Sequence, residues 1–284
     1  MSQFASWRAY QDFAHTVRST HRYIRTPEME AFLEAVRATA KSRECTVPKG
    51  RPFWRAQRGH CSRDEDHDGT IVDRSEAYLP DRMKPRTGMG CEGRVNAKGI
   101  PCLYMATTRE TAMSETRPWL DAFVSVGCFE ILRDARIVDC SRFHDKNPAE
   151  IQAILETPFG SHPTPSAEKI EELVWTDIDR AFSEPVTEND SVPDYVPTQI
   201  LAECFRAQGY DGIAYKSALT EDGFNLAFFD LGIAKLVVGQ LYKTKSVKVT
   251  FGEHPEDEYF IGEEGQIVRQ VITDIRANPP PSNK

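Results

Sequence analysis

The chain has 284 residues, of which 40% are hydrophobic and 27% charged, with a formal net charge of -8. That is the size of one large domain or of a domain with an appendage, and the composition excludes wholesale disorder. The acidic balance argues against a protein that neutralises a nucleic-acid backbone, and no apolar run approaches the ~20 residues a bilayer span needs. Met1–Arg8 shows no basic stretch followed by an apolar core, so no secretory signal is expected. Seven scattered cysteines form no C-x-x-C, which predicts a reduced, cytoplasmic protein.

In chain order, residues 1–50 read as a helical N-terminal extension. Thr26 caps a helix with Pro27 at its first position, and Met29, Phe32, Leu33 and Val36 form one apolar stripe. Pro48–Pro52 breaks the pattern and sets the boundary of a main domain over 51–240. Phe53–Ala56 is a short strand. Residues 58–92 lack apolar periodicity and read as a long irregular lid or insertion. Ile100–Ala106 is a strand, and Thr107-x-x-Glu110 is a capping box for a helix that Pro118 stops.

Ala122–Leu132 and Arg136–Cys140 read as strands forming a hairpin around Arg133-Asp134. Helices follow at Asn147–Glu150, Ser166–Phe182 and Thr198–Gln208, the last closed by Gly209. Gly212–Lys216 and Asn225–Asp230 form a strand pair. The remainder, 241–284, holds late strands at Val247–Phe251 and Val268–Ile275 and a Pro-rich tail. Strands and helices mix without β-α-β alternation, so the fold class is α+β.

Several motifs fail on context. Gly88-x-Gly90-x-x-Gly93 lacks the preceding strand and following helix of a dinucleotide fingerprint. Asp64–Asp68 imitates half a calcium loop, but position 12 is Ser75, and a solvated acidic loop is the better reading. His60, Cys61, His67 and Cys91 match no zinc spacing, so no metal is expected. Arg8 and His15 only loosely match the arginine–histidine signature of helical-bundle ribonucleases, and no G-x-S-x-G is present.

One region holds together. From Gly93 to Pro118 a glycine-punctuated loop feeds a strand, which feeds a capped helix. Arg94 precedes the strand, Tyr104 lies towards its end, and Glu115 sits two turns into the helix. In the strand Cys102, Tyr104 and Ala106 share one face, and Leu103 and Met105 the other. Singly, each residue suits a plain role as surface charge, core aromatic or solvated helix face.

Together they resemble the RES-domain family, named for its arginine, glutamate and serine. The resemblance runs from about Phe53 to Asp230 and rests on five ordered blocks. These are Phe53-Trp-Arg55-Ala, Gly93-Arg94-x-Asn96 through Leu-Tyr104-x-Ala, Glu110-Thr-Ala-x-x-Glu115-x-Arg-Pro118, Tyr195–Gln199, and Gly209–Ser217 with Asn225 and Phe228-Phe-Asp following. The resemblance implies an ADP-ribosyltransferase-like fold, a mixed, split sheet flanked by helices. It also implies a bacterial toxin that consumes NAD+ as substrate, with no other cofactor and with a cognate antitoxin covering the cleft near Arg94 and Glu115. No membrane or nucleic-acid partner is expected.

The residue types suit that chemistry. Loss of nicotinamide leaves positive charge on the ribose, which a carboxylate stabilises. Glu115 matches the family's glutamate. Arg94 matches its arginine and, with Arg55, supplies guanidinium for the pyrophosphate. Tyr104 offers a ring to nicotinamide, and Ser217, matching the serine, a hydrogen bond to nicotinamide or its ribose. Asn225 is a further substrate-binding candidate. Water, phosphate or a protein side chain remains open as acceptor, so a mono-ADP-ribosyltransferase is an alternative. A non-catalytic partner-binding domain is an alternative of another class. The long 58–92 segment, residues 1–50 and the tail from Val247 depart from the compact family core.

Overall fold

The computed structural model describes residues 4–68, 70–86, 88–146, 165–184, 192–252, 259–261 and 267–269. Met1–Lys245 form one compact unit and Ser246–Lys284 a second.

Two helices open the first unit, α1 (Ala9–Ser19) and α2 (Pro27–Thr39). Thr26 caps α2 by accepting a hydrogen bond from the Met29 amide, and Met29, Phe32, Leu33 and Val36 are all buried. Strands β1 (Glu44–Val47) and β2 (Pro52–Arg58) follow. Then come β3 (Cys61–His67), β4 (Thr70–Glu76) and a single turn, α3 (Pro80–Met83). Next are β5 (Leu103–Ala106), α4 (Arg109–Glu115), β6 (Phe123–Ile131) and β7 (Ala135–Cys140). Helices α5 (Ala167–Ser183) and α6 (Val196–Ala207) lead into β8 (Gly212–Lys216), β9 (Phe224–Phe228) and β10 (Ala234–Lys243). Gly209, at φ +80°, takes the left-handed conformation after α6 that glycine adopts without a Cβ penalty.

Eight strands form one mixed sheet in the order β1-β7-β8-β9-β5-β2-β6-β10. Among the described strand pairs only β7 and β8 run parallel. Along β5 and β9 the side chains alternate between two cores. Leu103, Met105, Leu226 and Phe228 join Phe53, Phe129 and Ile137 on one face. Ala227, with Ile213 and Tyr215, joins Val138, Phe182 and Phe205 beneath the helices on the other. The sheet is nearly divided: β2 and β5 share a single register pair, Trp54 with Ala106. Two groups of strands, β1-β7-β8-β9-β5 and β2-β6-β10, meet at that seam.

The structure corrects several expectations. Residues 4–50 are no appendage: Phe13, Phe32 and Leu33 share a core with Trp175 and Phe205, and β1 is an edge strand of the main sheet. Arg43 donates to both carboxylate oxygens of buried Asp179 in α5, at 2.8 and 2.9 Å. Residues 58–92 are not wholly irregular, because β3 and β4 pair as an antiparallel hairpin. Asp64–Asp66 are strand residues there, not the solvated acidic loop expected, and Arg74 pairs with Glu65 at 2.6 Å. Strands β6 and β7 do not form a hairpin; β6 pairs with β2 and β10, and β7 with β1 and β8. The cap of α4 is Thr108, which accepts from the Thr111 amide, while Thr107 accepts from the Phe224 amide.

In the second unit, β11 (Tyr259–Ile261) pairs with β12 (Ile267–Arg269), and residues 247–251 form no strand. The helix expected at Asn147–Glu150, most of the strand expected at Val268–Ile275 and the Pro-rich tail lie outside the described residues. Among the described residues no helix is long and apolar enough to cross a membrane.

Candidate active site

The seam between β2 and β5 opens into a cleft of about 360 Å³. Both strands line it, Trp54 and Arg55 from β2 and Tyr104 and Ala106 from β5. Glu115 reaches it from the end of α4, Arg94 from the loop before β5, and Asn225 from β9. The capped helix, the loop and the sheet thus converge where the ladder narrows to one pair.

Glu115 is held by one oxygen. Its Oε1 accepts from Ser217 Oγ at 2.7 Å and from Asn225 Nδ2 at 2.6 Å. Among the described residues Oε2 has no hydrogen-bond partner. Ser217 and Asn225 are both buried, and their hydrogen bonds orient the carboxylate. Ser217 is itself fixed, its Oγ accepting from the Leu219 amide at 3.2 Å. Lys216 secures that loop by donating to the carbonyls of Ser217, Thr220 and Gly223.

The loop carrying Arg94 is pinned from two sides. Tyr104 Oη donates to Asn96 Oδ1 at 2.6 Å and accepts from the Val95 amide at 3.1 Å. Burial raises the Tyr104 phenol well above its ordinary pKa, so it stays protonated. From α6, Thr198 donates to the Arg94 carbonyl at 2.7 Å and Gln199 reaches the Gly93 and Asn96 carbonyls at 2.9 and 3.1 Å. A Cβ on Gly93 would stand 2.7 Å from Tyr104 Oη, so only glycine fits under that hydroxyl.

Arg94 Nη1 donates to the Ala181 carbonyl at 3.0 Å, and its guanidinium lies 5.9 Å from the Tyr215 ring centroid. Arg55 gives Nε to the Met83 carbonyl and Nη1 to the Tyr104 carbonyl, both at 2.9 Å. Desolvation lowers its pKa towards about 10, and no carboxylate offsets it.

The structure therefore brings together all six residues singled out from the sequence: Arg55, Arg94, Tyr104, Glu115, Ser217 and Asn225. It adds Trp54, Tyr195, Arg117 and Tyr215 to the lining, and Thr198 and Gln199 as supports of the arginine loop. Tyr195, Thr198 and Gln199 fall in the block Tyr195–Gln199, and Trp54, Arg117 and Tyr215 in three of the others, but their residue types alone assign no role. Arg117 lines the cleft at φ +45°, a left-handed conformation uncommon for a side-chain-bearing residue. Among the described residues no three His, Cys, Asp or Glu side chains converge to hold a metal ion. The Gly88–Gly93 run is loop between α3 and β5, with Gly90 against the Pro101 backbone.

A family model, the RES domain, matches residues 54–244. The chain belongs to the RES-domain family. No curated protein matches the sequence. Among solved structures, the chain is similar to a chain of the M. tuberculosis MbcT–MbcA toxin–antitoxin complex, with 13% identity and a TM-score of 0.37. That match covers 74% of this chain and 92% of the other.

Proposed function

We propose that this chain is a toxin-type enzyme that cleaves the nicotinamide–ribose bond of NAD+. The observation that carries the reading is the Glu115 carboxylate, which lines the cleft with Oε1 anchored by Ser217 and Asn225 and, among the described residues, Oε2 without a hydrogen-bond partner. In the reaction the bond from ribose C1′ to the nicotinamide nitrogen breaks, and its electron pair leaves with the ring, which becomes neutral. Positive charge is left on the ribose, and Glu115 stabilises it. Water or phosphate then adds at that same carbon, C1″ in ADP-ribose, giving ADP-ribose and a proton or ADP-ribose 1″-phosphate.

Ser217 and Asn225 act as positioning residues in this scheme, fixing the carboxylate before charge develops. Arg94 and Arg55 supply positive charge for the pyrophosphate, and Tyr104 presents its ring to nicotinamide. A cognate antitoxin would block the reaction by covering the cleft near Arg94 and Glu115.

The test is to incubate purified protein with NAD+, with and without phosphate, and to separate the products by chromatography. Nicotinamide with ADP-ribose identifies a glycohydrolase, and nicotinamide with the 1″-phosphate a phosphorylase. Transfer of label from adenine-labelled NAD+ to a protein in a cell extract, without free ADP-ribose, would instead establish the transferase. Absence of every product from folded protein would overturn the reading.

A further inference from the structure

A second cleft, of about 340 Å³, lies against the first and shares Arg55 and Tyr104 with it. Its outer wall comes from Arg82 in α3 and from residues 84–86 and 89–92 between α3 and β5, a stretch the proposed reaction leaves without a role. Four cationic residues line this cleft, Arg55, Arg82, Lys84 and Arg86, against one carboxylate, Glu92. Among the described residues none of the four pairs with an acid. Arg55 and Lys84 are tied to backbone carbonyls, Lys84 Nζ to those of Leu231 and Ala234. Arg82 lies 5.2 Å from the Tyr78 ring centroid. Glu92 Oε1 accepts from the Gln199 amide at 3.2 Å.

Carbonyls fix a cation in place without neutralising it. Desolvation lowers the pKa of both Arg55 and Lys84, with Asp230 acting in the opposite sense on Lys84. The chain as a whole carries -8. A concave patch with three positive charges in excess is therefore a local reversal of sign, and a concave wall concentrates the field on whatever enters. Guanidinium groups donate paired N–H bonds in a geometry that matches phosphate oxygens.

We infer that this cleft is a phosphate subsite, with Arg82 and Arg86 at its mouth and Arg55 between it and the Glu115 cleft. The ligand is a phosphate group, either of a nucleotide whose other end occupies the Glu115 cleft or inorganic phosphate. Its role in catalysis rests on the NAD+ reading, but its binding does not.

The test is calorimetric titration of the full chain with ADP, with inorganic phosphate and with adenosine as the uncharged control. Wild type is compared with Arg82→Gln/Arg86→Gln, whose residues are exposed and whose folding is checked by melting temperature. The double substitution should weaken phosphate-dependent binding at least tenfold, and rising salt should shrink that difference. Weakened ADP binding with no response to inorganic phosphate assigns the subsite to the nucleotide. A wild-type response to inorganic phosphate, lost in the variant, assigns it to the free ion. Wild type that binds neither ligand, or a variant that binds both as tightly as wild type, overturns the inference. Nicotinamide release is measured separately on the same samples, so failure of the NAD+ reading leaves the titration interpretable.

Discussion

Glu115 uses its two oxygens differently, and that asymmetry predicts graded effects. Removing Ser217 or Asn225 leaves the charge but frees its orientation. Ser217→Ala and Asn225→Ala should each lower kcat by roughly tenfold with KM little changed, because a group acting only through the carboxylate affects the transition state more than substrate binding. A raised KM with unchanged kcat in either variant would instead place that residue on the substrate. Ser217 illustrates what residue identity leaves open. The serine was legible as a candidate, but its geometry was not, since the hydroxyl proton goes to Glu115.

A second residue-scale prediction concerns Asp177, which accepts from the Gln11 amide at 3.1 Å. Burial pushes its pKa up from 3.8 to about 6. The folded chain then holds that proton more tightly than the unfolded chain does. The carboxyl favours the fold below pH 4, and its cost appears as pH rises through 6. Asp177→Asn should leave stability unchanged near pH 4 and raise it by about 1 kcal/mol at pH 8, after allowance for partial solvent screening. Thermal melts at the two pH values check this, and an equal difference at both would contradict the assignment.

At the scale of elements, what tied the chain locally was legible and what paired it at a distance was not. Thr26, Ser166 and Gly209 mark helix ends because capping is a contact within a few residues, and each occupies the expected place. The supposed hairpin at Arg133-Asp134 failed because a strand's partner is a long-range choice. Both edges of β6 are taken by β2 and β10. The hairpin β3–β4 gave no signal because its strands are rich in charged residues, Arg63, Asp64 and Glu65 in succession among them, where an apolar period was sought. Strand β10 escaped notice for a related reason: it is an edge strand with much of its length exposed.

The N-terminal helices were legible as helices, whereas their place in the core was not, because Arg43 and Asp179 meet across 136 residues. Breaking one partner of such a pair strands a buried charge. Arg43→Met should cost about 3–5 kcal/mol in denaturant unfolding, and Arg43→Met/Asp179→Leu should recover most of that loss. A loss below 1 kcal/mol in the single variant would show the pair to be solvated.

For the whole molecule, the near-division of the sheet at Trp54 and Ala106 is the decisive feature. It places a carboxylate from a helix, two arginines from separate elements and an aromatic strand residue around one opening. On the proposed reading, expression of the chain should lower cellular NAD+ and arrest growth, and Glu115→Ala should relieve both. Undiminished toxicity of that variant would remove the carboxylate from the mechanism.

The most direct measurement compares wild type with Glu115→Gln at saturating NAD+, following nicotinamide release in protein of matched melting temperature. Glutamine keeps the shape and the hydrogen-bond acceptor for Ser217 and Asn225 but carries no charge. The account predicts release by wild type and a loss of roughly 10²–10³-fold in the variant, the range for removing a group aimed at transition-state charge. Release by both at comparable rates would contradict it.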